Sequence, residues 1–75
     1  MKQRIRLVCT EDFKVYNHDR TILKGEFKEN EMYIATLNEF TEEYFIYSRE
    51  GSEIEVAYYD NEDKLIIEEG FELLE

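Results

Sequence analysis

From Met1 to Thr10 the chain alternates: Gln3, Ile5, Leu7 and Cys9 share one face, and Lys2, Arg4, Arg6 and Val8 share the other. Side chains of extended backbone point to opposite faces in turn, so this pattern predicts a half-buried strand. Phe13–Tyr16 and Thr21–Lys24 flank Asn17-His18-Asp19-Arg20, four turn-forming residues, which predicts a hairpin with an irregular loop. Gly25 breaks the pattern before Phe27. Glu31–Asn38 is rich in β-formers and reads as a long strand, followed by a polar loop around Phe40. Glu43–Arg49 and Ser52–Tyr59 read as two strands joined by a tight turn at Glu50-Gly51. Asp60–Asp63 is a further turn, Leu65–Ile67 a short apolar strand and Phe71–Leu74 a last strand. Glu68-Glu69-Gly70 predicts a single helical turn. The same stretch admits a second reading, a short helix over 61–69 capped by Asn61 and stopped by Gly70. The adjacent β-branched Ile66 and Ile67 argue for the strand.

The order is a long strand, a large hairpin, a three-strand meander, a turn and a short closing strand. It predicts a mostly β chain folded as a small SH3-like barrel of about five antiparallel strands, because closure removes exposed sheet edges. An OB-like barrel is the alternative. With 75 residues, one domain spanning 1–75 is expected. Five Phe, six Tyr and 43% hydrophobic residues supply a core, which excludes a disordered acidic tail. No apolar run reaches the ~18 residues of a membrane span, and Met1–Arg6 lacks the apolar block of a signal peptide. The expectation is a soluble cytoplasmic protein.

Charge adds a second layer. The net charge is −10, and it is uneven: residues 1–24 carry +3 and residues 25–75 carry −13. Such a surface repels phosphate backbones and anionic lipid, so neither direct nucleic-acid nor membrane binding is expected. It attracts basic protein surfaces and speeds encounter with them. The Lys2, Arg4, Arg6 stripe is explained by pairing of the first strand with the last, which carries Glu68, Glu69, Glu72 and Glu75 nearby.

Candidate chemistry is thin. His18 is the only His and Cys9 the only Cys, so a nucleophilic triad, a disulfide or a multi-Cys zinc site lacks its parts. Cys9, on the apolar face of its strand, reads as a small buried hydrophobe. Asp60, Glu62 and Asp63 do not match the spacing of a calcium loop. The chain has no Trp for a proline-peptide groove. No enzyme, metal or cofactor is expected.

Three segments carry a resemblance: Lys24-Gly25-Glu26-Phe27, Tyr44-Phe45-Ile46-Tyr47 before the Glu50-Gly51 turn, and Glu69-Gly70-Phe71-Glu72-Leu73 at the close. In these the chain resembles small SH3-like barrel proteins encoded by bacteriophages and prophages of Gram-positive bacteria. The resemblance implies a protein of the infected cell's cytoplasm that acts by binding a host protein, and it brings no active site with it.

A two-residue Glu50-Gly51 turn would set Tyr47 and Phe45 inward opposite Ile54 and Val56. It would turn Tyr44, Ile46 and Tyr59 outward with Glu53 and Glu55. The expected binding surface is therefore Tyr44, Ile46 and Tyr59 rimmed by Glu53 and Glu55, continued by Asp60, Glu62 and Asp63. The expected partner is a host protein with a basic surface, inhibited in one version by carboxylates that mimic DNA phosphates. The alternative is a structural, self-assembling component with no inhibitory role.

Overall fold

A computed structural model describes residues 2–74. Strand β1 (Arg4–Cys9) is followed by a hairpin of β2 (Phe13–Tyr16) and β3 (Leu23–Phe27). Next come β4 (Met32–Asn38), β5 (Glu43–Tyr47), β6 (Glu53–Tyr59), β7 (Leu65–Ile67) and β8 (Phe71–Leu74). Six of them form one antiparallel sheet in the order β7-β6-β5-β4-β1-β8, which curls until β7 and β8 come close and the barrel nearly shuts. The result is the mostly β small barrel that the strand order predicts. It has more strands than about five because β2, β3 and β7 are short additions to the long-strand frame.

First and last strands pair as expected: Leu7 lies beside Leu73, Val8 beside Glu72 and Cys9 beside Phe71. On its other side β1 pairs β4, with Arg4 beside Thr36 and Arg6 beside Ile34. The alternation along β1 holds, with Ile5, Leu7 and Cys9 buried and Arg4 and Arg6 exposed. The Cys9 thiol donates to the Glu11 carbonyl at 2.9 Å.

No helix occurs among the described residues, so both helical expectations are corrected. At Glu68–Phe71 the chain makes a β-turn, with Phe71 N–H donating to Glu68 C=O at 3.3 Å. Gly70 sits at φ +99° there, a conformation that a helix never uses. The 61–69 helix is replaced by a reversal at Asp60. Its carboxylate accepts from the N–H groups of Glu62 and Lys64, both at 2.9 Å. The chain then pairs β7 back on β6, Ile66 beside Tyr58 and Leu65 beside Tyr59. Gly25 does not break β3; the strand runs through it. A Cβ there would stand 3.1 Å from the Phe27 ring and 3.5 Å from Ile54, so the bare backbone lets the hairpin close on the core.

The hairpin caps one end of the barrel through aromatic rings. Phe27 packs against Phe13, Tyr33 and Phe71 with ring centroids 5.1–5.2 Å apart. These residues join Leu7, Ala35, Tyr44, Val56 and Ala57 in one core, so the whole described chain folds around a single apolar centre.

The largest departure lies in β5. Tyr44 and Ile46 point inward and are buried, whereas Phe45 is half-buried and Tyr47 is 73% exposed. The expected assignment of this strand is therefore inverted. The cause is the turn. Ser48 N–H donates to Ser52 C=O at 2.8 Å, which leaves three residues in the loop, Arg49-Glu50-Gly51, rather than two. Gly51, at φ +89°, supplies the left-handed residue that closes such a loop. One extra loop residue slips the register by one and flips every side chain of the strand. Ile54 and Val56 keep their inward positions. A bulge sets Phe45 beside Glu55 and Tyr44 beside Ala57, so Val56 and Ala57 are both buried.

Candidate protein-binding surfaces

The expected binding residues fall into three places. Tyr44 and Ile46 are core residues, 0% and 5% exposed, and offer nothing to a partner. Glu53 and Glu55 stand on the outer face of β6, as expected. Tyr59, Asp60, Glu62 and Asp63 lie at one end of the barrel. Tyr59 is half-buried there, its hydroxyl 3.1 Å from that of Tyr44. Asp60 spends its carboxylate on its own turn, while Glu62 and Asp63 are exposed.

That end is assembled by the strand registers. β4 ends there at Asn38 and β5 starts at Glu43; β6 ends at Tyr59 and β7 starts at Leu65. The β4–β5 loop and the β6–β7 turn are tied together by Tyr59 N–H donating to Glu42 C=O at 3.2 Å. Glu39, Glu42, Glu43, Asp60, Glu62 and Asp63 gather at this end, with Lys2 and Lys64 as its nearby lysines. Among them stands Phe40, 100% exposed. Its loop is held by Asn38, whose side-chain oxygen accepts from Phe40 N–H at 3.0 Å. The Asn38 carbonyl also accepts from Glu42 N–H at 2.8 Å, and Glu42 takes a positive φ of 59° to complete the turn. The Gln3 side-chain amide donates to the Glu39 carboxylate and pins the loop to the start of β1. Phe40 is thus a bare aromatic ring on a braced acidic loop. Its signal in the sequence is that it is the only apolar residue between Asn38 and Glu43.

A second surface is the outer face of β4, β5 and β6. Met32 and Ile34, 54% and 56% exposed, stand on β4 beside the outward Phe45 and Tyr47 of β5. The β4–β5 pairing covers Thr36–Asn38 against Glu43–Phe45, and beyond it a shallow groove opens, lined by these four side chains and Glu53. Sequence reasoning placed neither Phe45 nor Tyr47 here, because the register slip hid them. Met32 and Ile34 are absent from the expected site too, although their shared phase in Met-Tyr-Ile-Ala-Thr-Leu is a signal for one common face.

At the β5–β6 border the carboxyls of Glu43 and Glu55 share a hydrogen bond. The bond to Glu43 is the main reason that the Glu55 carboxyl is pushed up to about 7, with burial and the charges of Glu43 and Glu68 adding to it. Glu43 is held below its ordinary range by that same bond and by Thr41. Below about pH 7 the two carboxyls therefore hold one proton between them. Among the described residues no group of three or more His, Cys, Asp or Glu is placed to hold a metal ion. Nor is any helix long and apolar enough to cross a membrane. His18 is exposed in the β2–β3 loop.

Comparison of the chain with protein-family models, with curated proteins and with solved structures finds no match.

Proposed function

We propose that the protein is an acidic protein-binding module, a docking domain rather than an enzyme, which seats its acidic end on a basic surface of another protein. The observation that carries the reading is Phe40. An apolar ring fully exposed on a hydrogen-bonded loop contributes nothing to the core and, rimmed by carboxylates, is available as an aromatic anchor for a partner. The carboxylates around it supply the steering charge, and the braced loop keeps the ordering cost of binding low. In the form that the phage resemblance suggests, the partner is a host protein whose basic surface normally holds nucleic acid, and the carboxylates occupy the phosphate positions.

The test is capture of partners from a Gram-positive cell lysate at low and raised salt. It compares the natural chain with Phe40→Ala and with a Glu39→Gln, Glu42→Gln, Glu62→Gln triple variant. The reading expects specific proteins that are lost with Phe40→Ala and released by salt. Capture that survives both variants would sink it. A second reading, a self-associating component, is favoured by a different observation, the exposed Met32, Ile34 and Tyr47 on the outer face of β4 and β5.

A further inference from the structure

The sheet splits between β4 and β5. Their ladder joins only Thr36, Leu37 and Asn38 to Phe45, Tyr44 and Glu43, and on the Met32 side of Thr36 the two strands part. Along a strand the backbone groups of successive residues turn to opposite edges, so alternate residues bond to the same neighbour. Two bonds fix which residues of β4 turn which way. Cys9 N–H donates to Glu31 C=O at 2.9 Å, and Leu37 N–H donates to Gln3 C=O at 2.8 Å. The odd-numbered residues therefore bond to β1. The N–H and C=O groups of Met32 and Ile34 turn the other way, toward β5, where the ladder has ended. On the facing strand Ser48 N–H donates to Ser52 C=O, toward β6, so the backbone groups of the neighbouring Tyr47 turn toward β4. Among the described residues no loop or turn backbone supplies the missing partners. Two unpaired edges thus face one groove of about 820 Å³, and the exposed side chains of the same three residues line it.

We propose that this split is a docking site for an extended peptide segment of another protein, which enters as an added strand between β4 and β5. An unpaired strand edge is a template for another strand, and main-chain hydrogen bonds supply the affinity. Edges on both sides select a single extended chain, which can bond to Met32 and Ile34 on one side and to Tyr47 on the other. A second copy of this chain would bring a finished sheet, which satisfies one edge and sets its remaining strands where β5 already stands. The side chains state the rest of the preference. Met32, Ile34 and Tyr47 offer apolar contact to alternate residues of the added strand. Glu53 is the one charged residue lining the groove. Where the groove continues past Met32 and Tyr47 it meets Glu31, Arg49 and Glu50, and Lys28 there is already bound to Glu26 at 3.1 Å. The acids outweigh the free cation, so the matching occupant alternates apolar residues and carries Lys or Arg. The split lies away from the Asn38–Glu43 loop that bears Phe40, and the inference does not rest on docking of the acidic end.

Backbone hydrogen exchange and peptide selection test it. In the free chain the amides of Met32, Ile34 and Tyr47 should exchange about tenfold or more faster than those of Tyr33 and Ala35, which the ladder to β1 holds. A random peptide library selected on the full chain should return sequences that alternate apolar residues and carry Lys or Arg. One such synthetic peptide should then slow exchange at Met32 and Ile34. Ile34→Pro removes the N–H that faces the split and spares the ladder to β1, a place where a strand tolerates proline. This variant should fold, as circular dichroism reads, and bind the peptide about tenfold or more weakly. Ile34→Val keeps that N–H and should change the affinity by less than about threefold. Phe40→Ala should leave it unchanged, which separates this site from the acidic end. Where Ile34→Pro unfolds, the exchange readout on the natural chain decides alone. Met32 and Ile34 amides already protected in the free chain overturn the proposal. So does a folded Ile34→Pro chain that binds the peptide unchanged, or a selection whose peptides leave those amides exchanging freely. A mass that climbs with concentration while the same amides become protected overturns it in favour of a second copy.

Discussion

The hydroxyl of Tyr44 donates to the Lys2 carbonyl at 2.7 Å and lies 3.1 Å from the hydroxyl of Tyr59. One side chain of β5 thereby ties the start of the chain to the end of β6 from inside the barrel. Burial, and then the Tyr59 hydroxyl, push its ionisation well above the ordinary phenol range.

This arrangement sets opposite expectations for Tyr44 and Tyr47, one turned inward and the other outward on the same strand. Tyr44→Ala should cost about 3–5 kcal/mol, as a large buried ring is lost. Tyr44→Phe should cost about 1–2 kcal/mol through the orphaned hydrogen-bond partners. Tyr47→Ala, on the exposed face, should stay within ~0.5 kcal/mol. Urea unfolding of the three variants reads the register of β5 directly. A larger loss at Tyr47 than at Tyr44 would restore the two-residue turn.

The Glu43–Glu55 pair makes stability depend on pH. Glu55 titrates at about 7 in the folded chain against 4.5 ordinarily, so the folded state keeps a proton that the unfolded state has released. The stability it contributes is full below 4.5 and is lost as pH rises through about 7. Glu43, shifted down, acts in the other direction at lower pH, its contribution fading as pH falls through its own depressed value. Glu55→Gln keeps a donor for Glu43 at every pH and should remove the decline across the neutral range. Carboxyl NMR should place the Glu55 midpoint near 7, and Glu43→Gln should return it toward the ordinary range. An ordinary Glu55 midpoint in the natural chain would show that the two carboxyls do not share a proton.

Two glycines separate strain from crowding. Gly51 has a positive φ and open space around its missing Cβ, so Gly51→Ala should cost about 1–2 kcal/mol of backbone strain alone. Gly70 has a positive φ too, and a Cβ there would stand 2.7 Å from the Phe13 ring. Gly70→Ala should cost about 1–3 kcal/mol more than Gly51→Ala, because a ring packed on Phe27 and Phe71 must move. Denaturation midpoints of the two variants compare them. Equal losses would mean that Phe13 yields without cost.

Local pattern was enough to determine much of this protein. Alternation placed Ile5, Leu7 and Cys9 inside, β-forming runs located the long strands, and turn-forming residues located the β2–β3 loop and the Asp60 reversal, because each of these depends on neighbours in the chain. Glu62 and Asp63 were legible as exposed acids for the same reason. Tertiary structure alone decided the faces of β5. Ser48 closes its hairpin with Ser52 while its hydroxyl donates to the Lys24 carbonyl, a bond to a strand that sequence proximity does not reveal. That closure adds one loop residue, and the period-two pleat converts it into a complete exchange of inside and outside. Tyr44 and Ile46 became core, and Phe45 and Tyr47 became surface. The gathering of Phe40 with Glu62 and Asp63 was likewise decided by which strand ends the curled sheet brings together, a long-range consequence of pairing that no window of the sequence contains.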